Sequence, residues 1–158
     1  MQQLVDLLKE RELTVSGCES LTAGLFMSSL GNIPSVSKVF KGGIVTYWNE
    51  AKTGVAQVSP QTVDRYGVVS CQCAYEMAHN VRRIFATDIG VSFTGNAGPD
   101  VMEGKPAGLV YTCIEIGDQA NVYEDLIRER SRNEVRNEIV RLTVERIKEL
   151  LGVLPAEN

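Results

Sequence analysis

The stretch Leu13-Thr14-Val15-Ser16-Gly17-Cys18-Glu19-Ser20-Leu21-Thr22-Ala23-Gly24 decides how this chain folds. Leu13 to Cys18 reads as a short strand with β-branched residues. It turns at once into a helix, Ser20 to Leu30, that carries small hydroxylated residues at its start. The first N–H groups of a helix have no partner within it, so Ser20 and Thr22 stand where donors point outward. Such a place binds an anion, holds a nucleophile beside ready oxyanion donors, or is simply capped by one of these hydroxyls.

Around this turn, helical and extended patterns alternate. Gln2 to Arg11 places Leu4, Val5, Leu7 and Leu8 on one face of a first helix. Gly31-Asn32-Ile33-Pro34-Ser35 ends the second helix, and Gly42 to Trp48 has strand propensity. Asn49 then reads as the cap of a short helix through Gly54. Ser59-Pro60 starts another, closed by Gly67. Ser70 to Phe85 shows helical spacing of Cys71, Ala74, Ala78, Val81 and Phe85. Asp88 to Thr94 is a strand ending in the loop Gly95-Asn96-Ala97-Gly98-Pro99. Ala107 to Ile116 and Asn121 to Ile127 form a hairpin at Gly117-Asp118, and Ser131 to Leu151 is a long helix around Val135, Ile139, Leu142, Ile147 and Leu150. Interleaved elements early and a hairpin late predict one domain over residues 1–152. Its expected fold is an α/β/α sandwich whose mixed, partly parallel sheet is covered by helices, with 153–158 as a flexible tail.

The 158 residues are 44% hydrophobic and 23% charged, with a net charge of −4. That balance gives no support to general nucleic-acid binding, although Arg128, Arg130, Arg132 and Arg136 cluster in sequence. No apolar run matches a membrane span and no signal pattern opens the chain, so a cytoplasmic setting is expected. The four cysteines, Cys18, Cys71, Cys73 and Cys113, lack zinc spacing and read as free thiols, with Cys18 a small buried hydrophobe. No metal and no cofactor is expected. The one histidine, His79, falls on a polar helix face and reads as a surface residue, which argues against a Ser-His-Asp triad.

Three junctions share one pattern, a strand followed by small or polar residues: Cys18/Ser20-Thr22, Tyr47/Asn49-Lys52 and Thr94/Gly95-Gly98. Ligands in open α/β sheets bind off the carboxyl ends of strands, so parallel strands would bring the three together. Lys52 falls in the first turn of its helix if Asn49 is the cap, where the helix dipole opposes a cation. Dipole and partial burial would lower its pKa and make the neutral amine a base for Ser20; a lysine reaching out to water is the plain alternative. The Gly95–Gly98 loop offers unobstructed backbone N–H groups, or is an ordinary turn.

Five blocks, in order, resemble the C-terminal domain of the CinA competence/damage-inducible family, which is similar to nicotinamide-nucleotide amidohydrolases. They are Glu19-Ser20-Leu21-Thr22-Ala23-Gly24, Gly42-Gly43 through Tyr47-Trp48-Asn49-Glu50-Ala51-Lys52, Gly67-Val68-Val69-Ser70, Thr94-Gly95-Asn96-Ala97-Gly98-Pro99 and Lys105-Pro106-Ala107-Gly108. The resemblance implies hydrolysis of the carboxamide of nicotinamide mononucleotide to nicotinic acid mononucleotide and ammonia. It makes Ser20 the nucleophile, Lys52 its base and Tyr47 a support of the pair. It places Thr22, Gly24, Asn49, Thr94, Gly95, Ala97, Gly98 and Arg132 on the substrate, with Thr22 a cap or an oxyanion-side support. A pyridine nucleotide is then the small-molecule partner, and a homo-oligomer is expected. The alternative it allows is a non-catalytic nucleotide-binding or protein-interaction module linked to competence or DNA damage.

Overall fold

A computed structural model describes residues 1–152; the tail expected at 153–158 lies outside the described residues. Five strands, β1 (Val15–Glu19), β2 (Phe40–Val45), β3 (Ile89–Gly95), β4 (Leu109–Ile116) and β5 (Gln119–Leu126), form one sheet in the order β2-β1-β3-β4-β5. The first three in that order are mutually parallel, and β4 and β5 are antiparallel, joined by the expected hairpin. Six helices cover the sheet: α1 (Gln2–Glu10), α2 (Leu25–Gly31), α3 (Asn49–Gly54), α4 (Pro60–Tyr66), α5 (Cys71–Phe85) and α6 (Arg132–Leu150). None is long and apolar enough to cross a membrane.

Strand alternation separates two cores. Ile89, Val91 and Phe93 of β3 and Val110 and Ile114 of β4 face Leu4, Leu8, Phe26, Val135, Ile139 and Ile147 of α1, α2 and α6. Cys18 faces the other way, onto Cys73, Met77 and Val81 of α5. Here α5 lies very close to the sheet. A Cβ at Gly90 would come within 2.3 Å of the Ala78 carbonyl oxygen, and Ser92 donates its hydroxyl to the Ala74 carbonyl at 2.6 Å.

Several boundaries and faces differ from the sequence reading, β2 among them, which spans Phe40–Val45 rather than Gly42 to Trp48. Cys71 is exposed and Cys73 takes the buried face of α5, because Ser70, the N-cap, accepts from the Cys73 N–H and sets the helix phase. On α6, Val140, Thr143 and Val144 are buried whereas Leu150 is 39% exposed. The helix read from Ser20 begins only at Leu25. Ala23 and Gly24 both take positive φ (48° and 93°), a conformation that interrupts a right-handed helix.

The order β2-β1-β3-β4 has one functional consequence. The chain leaves the carboxyl end of β1 toward β2, and that of β3 toward β4. The two connections diverge and open a crevice between the ends of β1 and β3, the usual ligand position in such sheets.

Candidate active site

Ser20 directly follows β1, its N–H donating to the Phe93 carbonyl of β3 at 3.0 Å. What holds this turn is Glu19, which is fully buried. Its carboxylate accepts the N–H groups of Gly24 (3.0 Å), Phe26 (3.2 Å) and Met27 (2.8 Å). The donors at the start of α2, read from the sequence as open to a ligand, are therefore taken by the chain's own anion, which also suits the positive end of the helix dipole. Each orphaned buried donor costs about 1–3 kcal/mol. Glu19→Ala is accordingly expected to lose about 3 kcal/mol or more, read from the urea midpoint. A loss below about 1 kcal/mol would show that water replaces the carboxylate.

Lys52 reaches Ser20 from α3. Trp48, not Asn49, is the N-cap of this helix, and the Lys52 N–H already donates to the Trp48 carbonyl at 3.2 Å. The side chain is fully buried. Its Nζ lies 2.9 Å from Ser20 Oγ and donates to the Thr46 carbonyl at 2.8 Å. Burial, the largest cause, pushes the ammonium below its ordinary value of 10.5. Cys18 and Cys73 beside it are pushed up to about 12, also chiefly by burial, so they are neutral thiols and supply no counter-charge.

A cavity of about 170 Å³ opens over Ser20 and Leu21. Gly95, Asn96 and Ala97 form one wall, and Tyr47 and Arg132 close it on the other side. Asn96 orders the loop beyond: its Nδ2 donates to the carbonyls of Met102 (3.1 Å) and Lys105 (3.0 Å), and its Oδ1 accepts the Met102 N–H (3.1 Å). That brings Asp100 and Met102 to the rim. Arg132, the first residue of α6, donates to the Gly98 carbonyl at 2.8 Å and to the Tyr47 hydroxyl. One turn on, Arg136 donates to the Thr22 carbonyl at 2.9 Å. Two arginines of α6 thus tie together all three strand-end loops.

The structure brings Ser20, Lys52, Tyr47, Gly95, Ala97 and Arg132 to one place. Other sequence candidates stand apart. The Thr94 hydroxyl donates to the Val68 carbonyl at 2.6 Å, behind the wall. Gly98 is buried, its carbonyl held by Arg132, and Asn49 is exposed on α3 outside the cavity. Gly24 gives its N–H to Glu19, and Thr22 caps nothing: its Oγ1 is buried without a partner. His79 is not a free surface group, since its Nδ1 lies 3.0 Å from Oε1 of Glu115, a residue 4% exposed. Sequence reasoning missed Glu19, Asp100 and Met102. A larger groove, about 590 Å³, runs between β5 and α6, but its charges are committed to each other, as in the Arg141–Glu138 pair at 2.7 Å.

Residues 1–151 match the CinA C-terminal domain. A protein of Listeria monocytogenes named for competence-damage induction is 46% identical over 145 residues, 92% of this chain and 35% of the relative. One of Levilactobacillus brevis with the same name is 52% identical over 108 residues, 68% of this chain and 26% of the relative. The chain thus spans about a third of the length of the curated relatives it matches. The crystal structure of the competence/damage inducible protein CihA from Agrobacterium tumefaciens superposes with a TM-score of 0.90 at 32% identity, covering 95% of this chain and 92% of that one. A CinA superfamily protein from Klebsiella pneumoniae reaches 0.93 at 26% identity, covering 97% and 96%.

Proposed function

The chain belongs to the CinA C-terminal domain family, and from that premise we propose that it hydrolyses the carboxamide of nicotinamide mononucleotide to nicotinic acid mononucleotide and ammonia. The observation that carries this reading is the buried contact of 2.9 Å between Lys52 Nζ and Ser20 Oγ, on the floor of a cavity. A neutral amine there takes the serine proton as Oγ bonds to the carboxamide carbon and the carbonyl electron pair moves onto oxygen. When that pair returns, the C–N bond breaks and Lys52 returns the proton to the departing nitrogen, releasing ammonia. Water, deprotonated by the same amine, then attacks the acyl-serine, and the protonated lysine restores the Ser20 hydroxyl as the carboxylate leaves.

The charges around the cavity suit such a substrate. Nicotinamide mononucleotide carries a cationic ring and an anionic phosphate; the rim offers the Asp100 carboxylate and the Arg132 guanidinium. Leu21 and Met102 give the ring apolar contact.

The purified protein, given nicotinamide mononucleotide, is expected to release ammonia and nicotinic acid mononucleotide in equal amounts. Nucleotide binding by calorimetry without ammonia release would instead make this a binding module.

A further inference from the structure

Buried backbone N–H groups are almost always paired, so those left over call for an explanation. Among the described residues, the N–H groups of Leu21, Thr22, Ala97 and Gly98 have no acceptor within reach. Their residues are nonetheless buried: Leu21 is 4% exposed, Thr22 0% and Ala97 5%. All four stand in the two loops that follow β1 and β3. Only Leu21 and Ala97 also line the cavity over Ser20.

Leu21 and Ala97 come from the two different loops, after β1 and after β3, that border the cavity. Leu21 immediately follows the serine. Ala97 belongs to the loop beyond β3, whose Phe93 carbonyl binds the Ser20 N–H and so fixes the two strand ends side by side. The start of α2 cannot serve in their place, because Glu19 occupies it. One donor from the residue after the nucleophile and one from a neighbouring strand-end loop is also how serine hydrolases on α/β sheets hold a developing oxyanion.

The geometry points to the backbone N–H groups of Leu21 and Ala97 as the oxyanion hole of this site, an inference that rests on the amidohydrolase reading above. As Ser20 Oγ bonds to the carboxamide carbon, the carbonyl pair localises on oxygen, and the two N–H groups donate to that charge. When the C–N bond breaks, the pair returns to the carbonyl and the charge disappears. The donors therefore act on the intermediate more than on bound substrate, and their loss falls on kcat rather than KM. Leaving them unpaired in the free protein is the structural cost of having them ready.

Replacing one backbone amide by an ester removes a single N–H and keeps the side chain. It is done with the α-hydroxy acid counterpart of leucine at position 21 or of alanine at position 97. Each ester is expected to lower kcat for nicotinamide mononucleotide by about 10²–10³-fold with KM little changed. Neither N–H makes a hydrogen bond in the fold, but each ester also weakens the carbonyl before it, Ser20 accepting from the Ala23 N–H or Asn96 from the Gly108 N–H, so unfolding midpoints should fall only slightly. A second readout needs no turnover: pyridine-3-boronic acid should form a tetrahedral adduct on Ser20, seen by boron NMR, and each ester should weaken it. Esters with unaltered kcat and adduct affinity overturn the oxyanion assignment and leave the amidohydrolase reading standing. An unaltered protein that shows neither ammonia release nor adduct overturns the reading, and this inference with it.

Discussion

Ser20→Ala is expected to lower ammonia release from nicotinamide mononucleotide by about 10⁴-fold or more while leaving nucleotide binding largely intact. No neighbouring group can take over as nucleophile. Cys18 points to the same face of β1, but its thiol is pushed up to about 12 by burial and sits 3.7 Å from the Thr46 hydroxyl. A thiol that stays protonated is a poor nucleophile. The Thr94 hydroxyl is committed to Val68. Binding should survive because Arg132 and Asp100 at the rim are untouched. The fold should survive as well, since Lys52 keeps its hydrogen bond to the Thr46 carbonyl. Turnover of the same order as the unaltered protein, measured on Ser20→Ala by a coupled ammonia assay, would remove Ser20 from the chemistry.

The parts of this site that could be read from the sequence are those with short-range grammar. Three strand ends followed by small or polar residues predicted a convergence, and the parallel pairing of β1 with β2 and β3 supplies it. Arg132 is named only by the resemblance to the CinA family; in the fold it is the first residue of α6, where Ser131 forms a capping box. Strand ends were less legible. β1 runs one residue further than read, because Glu19 pairs with both Val45 and Phe93, and those partners are remote in sequence. Glu19 itself was hidden by a misplaced helix start. Nothing local shows that Ala23 adopts a positive φ, so the pattern alone predicts a helix from Ser20 with free N-terminal donors. Gly24 was the available signal, as the residue best able to interrupt a helix. Asp100 and Met102 reach the rim only through Asn96, and such tethering of one loop residue by another leaves no periodic trace. Pairing Lys52 with Ser20 needs the long-range convergence of the β1 and β2 ends, and the fold supplies that contact at 2.9 Å. Burial is the largest cause of the lysine's lowered pKa, and Ser20 and the Thr46 carbonyl are its hydrogen-bond partners there.

That burial makes the lysine testable in two independent ways. Lys52→Met keeps the length and apolar character of the stem and removes the amine. It is expected to lower kcat by about 10²–10⁴-fold, the usual share of a general base. In the unaltered protein kcat should rise with pH through a limb below 10.5, as the depressed ammonium loses its proton and becomes a base; Lys52→Met should lack that limb. Lys52→Arg should be equally inactive, because a guanidinium stays protonated throughout this range. Folding stability gives the second measurement. Between the depressed native value and 10.5 the unfolded chain holds a proton on Lys52 that the native state has lost. Stability therefore rises with pH across that window and is lost as pH falls through the native value. Lys52→Met has no proton to lose there, so the part of the slope due to this residue should vanish from urea midpoints taken across the window. A variant that keeps the acid limb in its residual activity would assign the base to another group. One that keeps the full stability slope would mean that the native amine titrates as freely as in the unfolded chain, and so could not serve Ser20 at neutral pH.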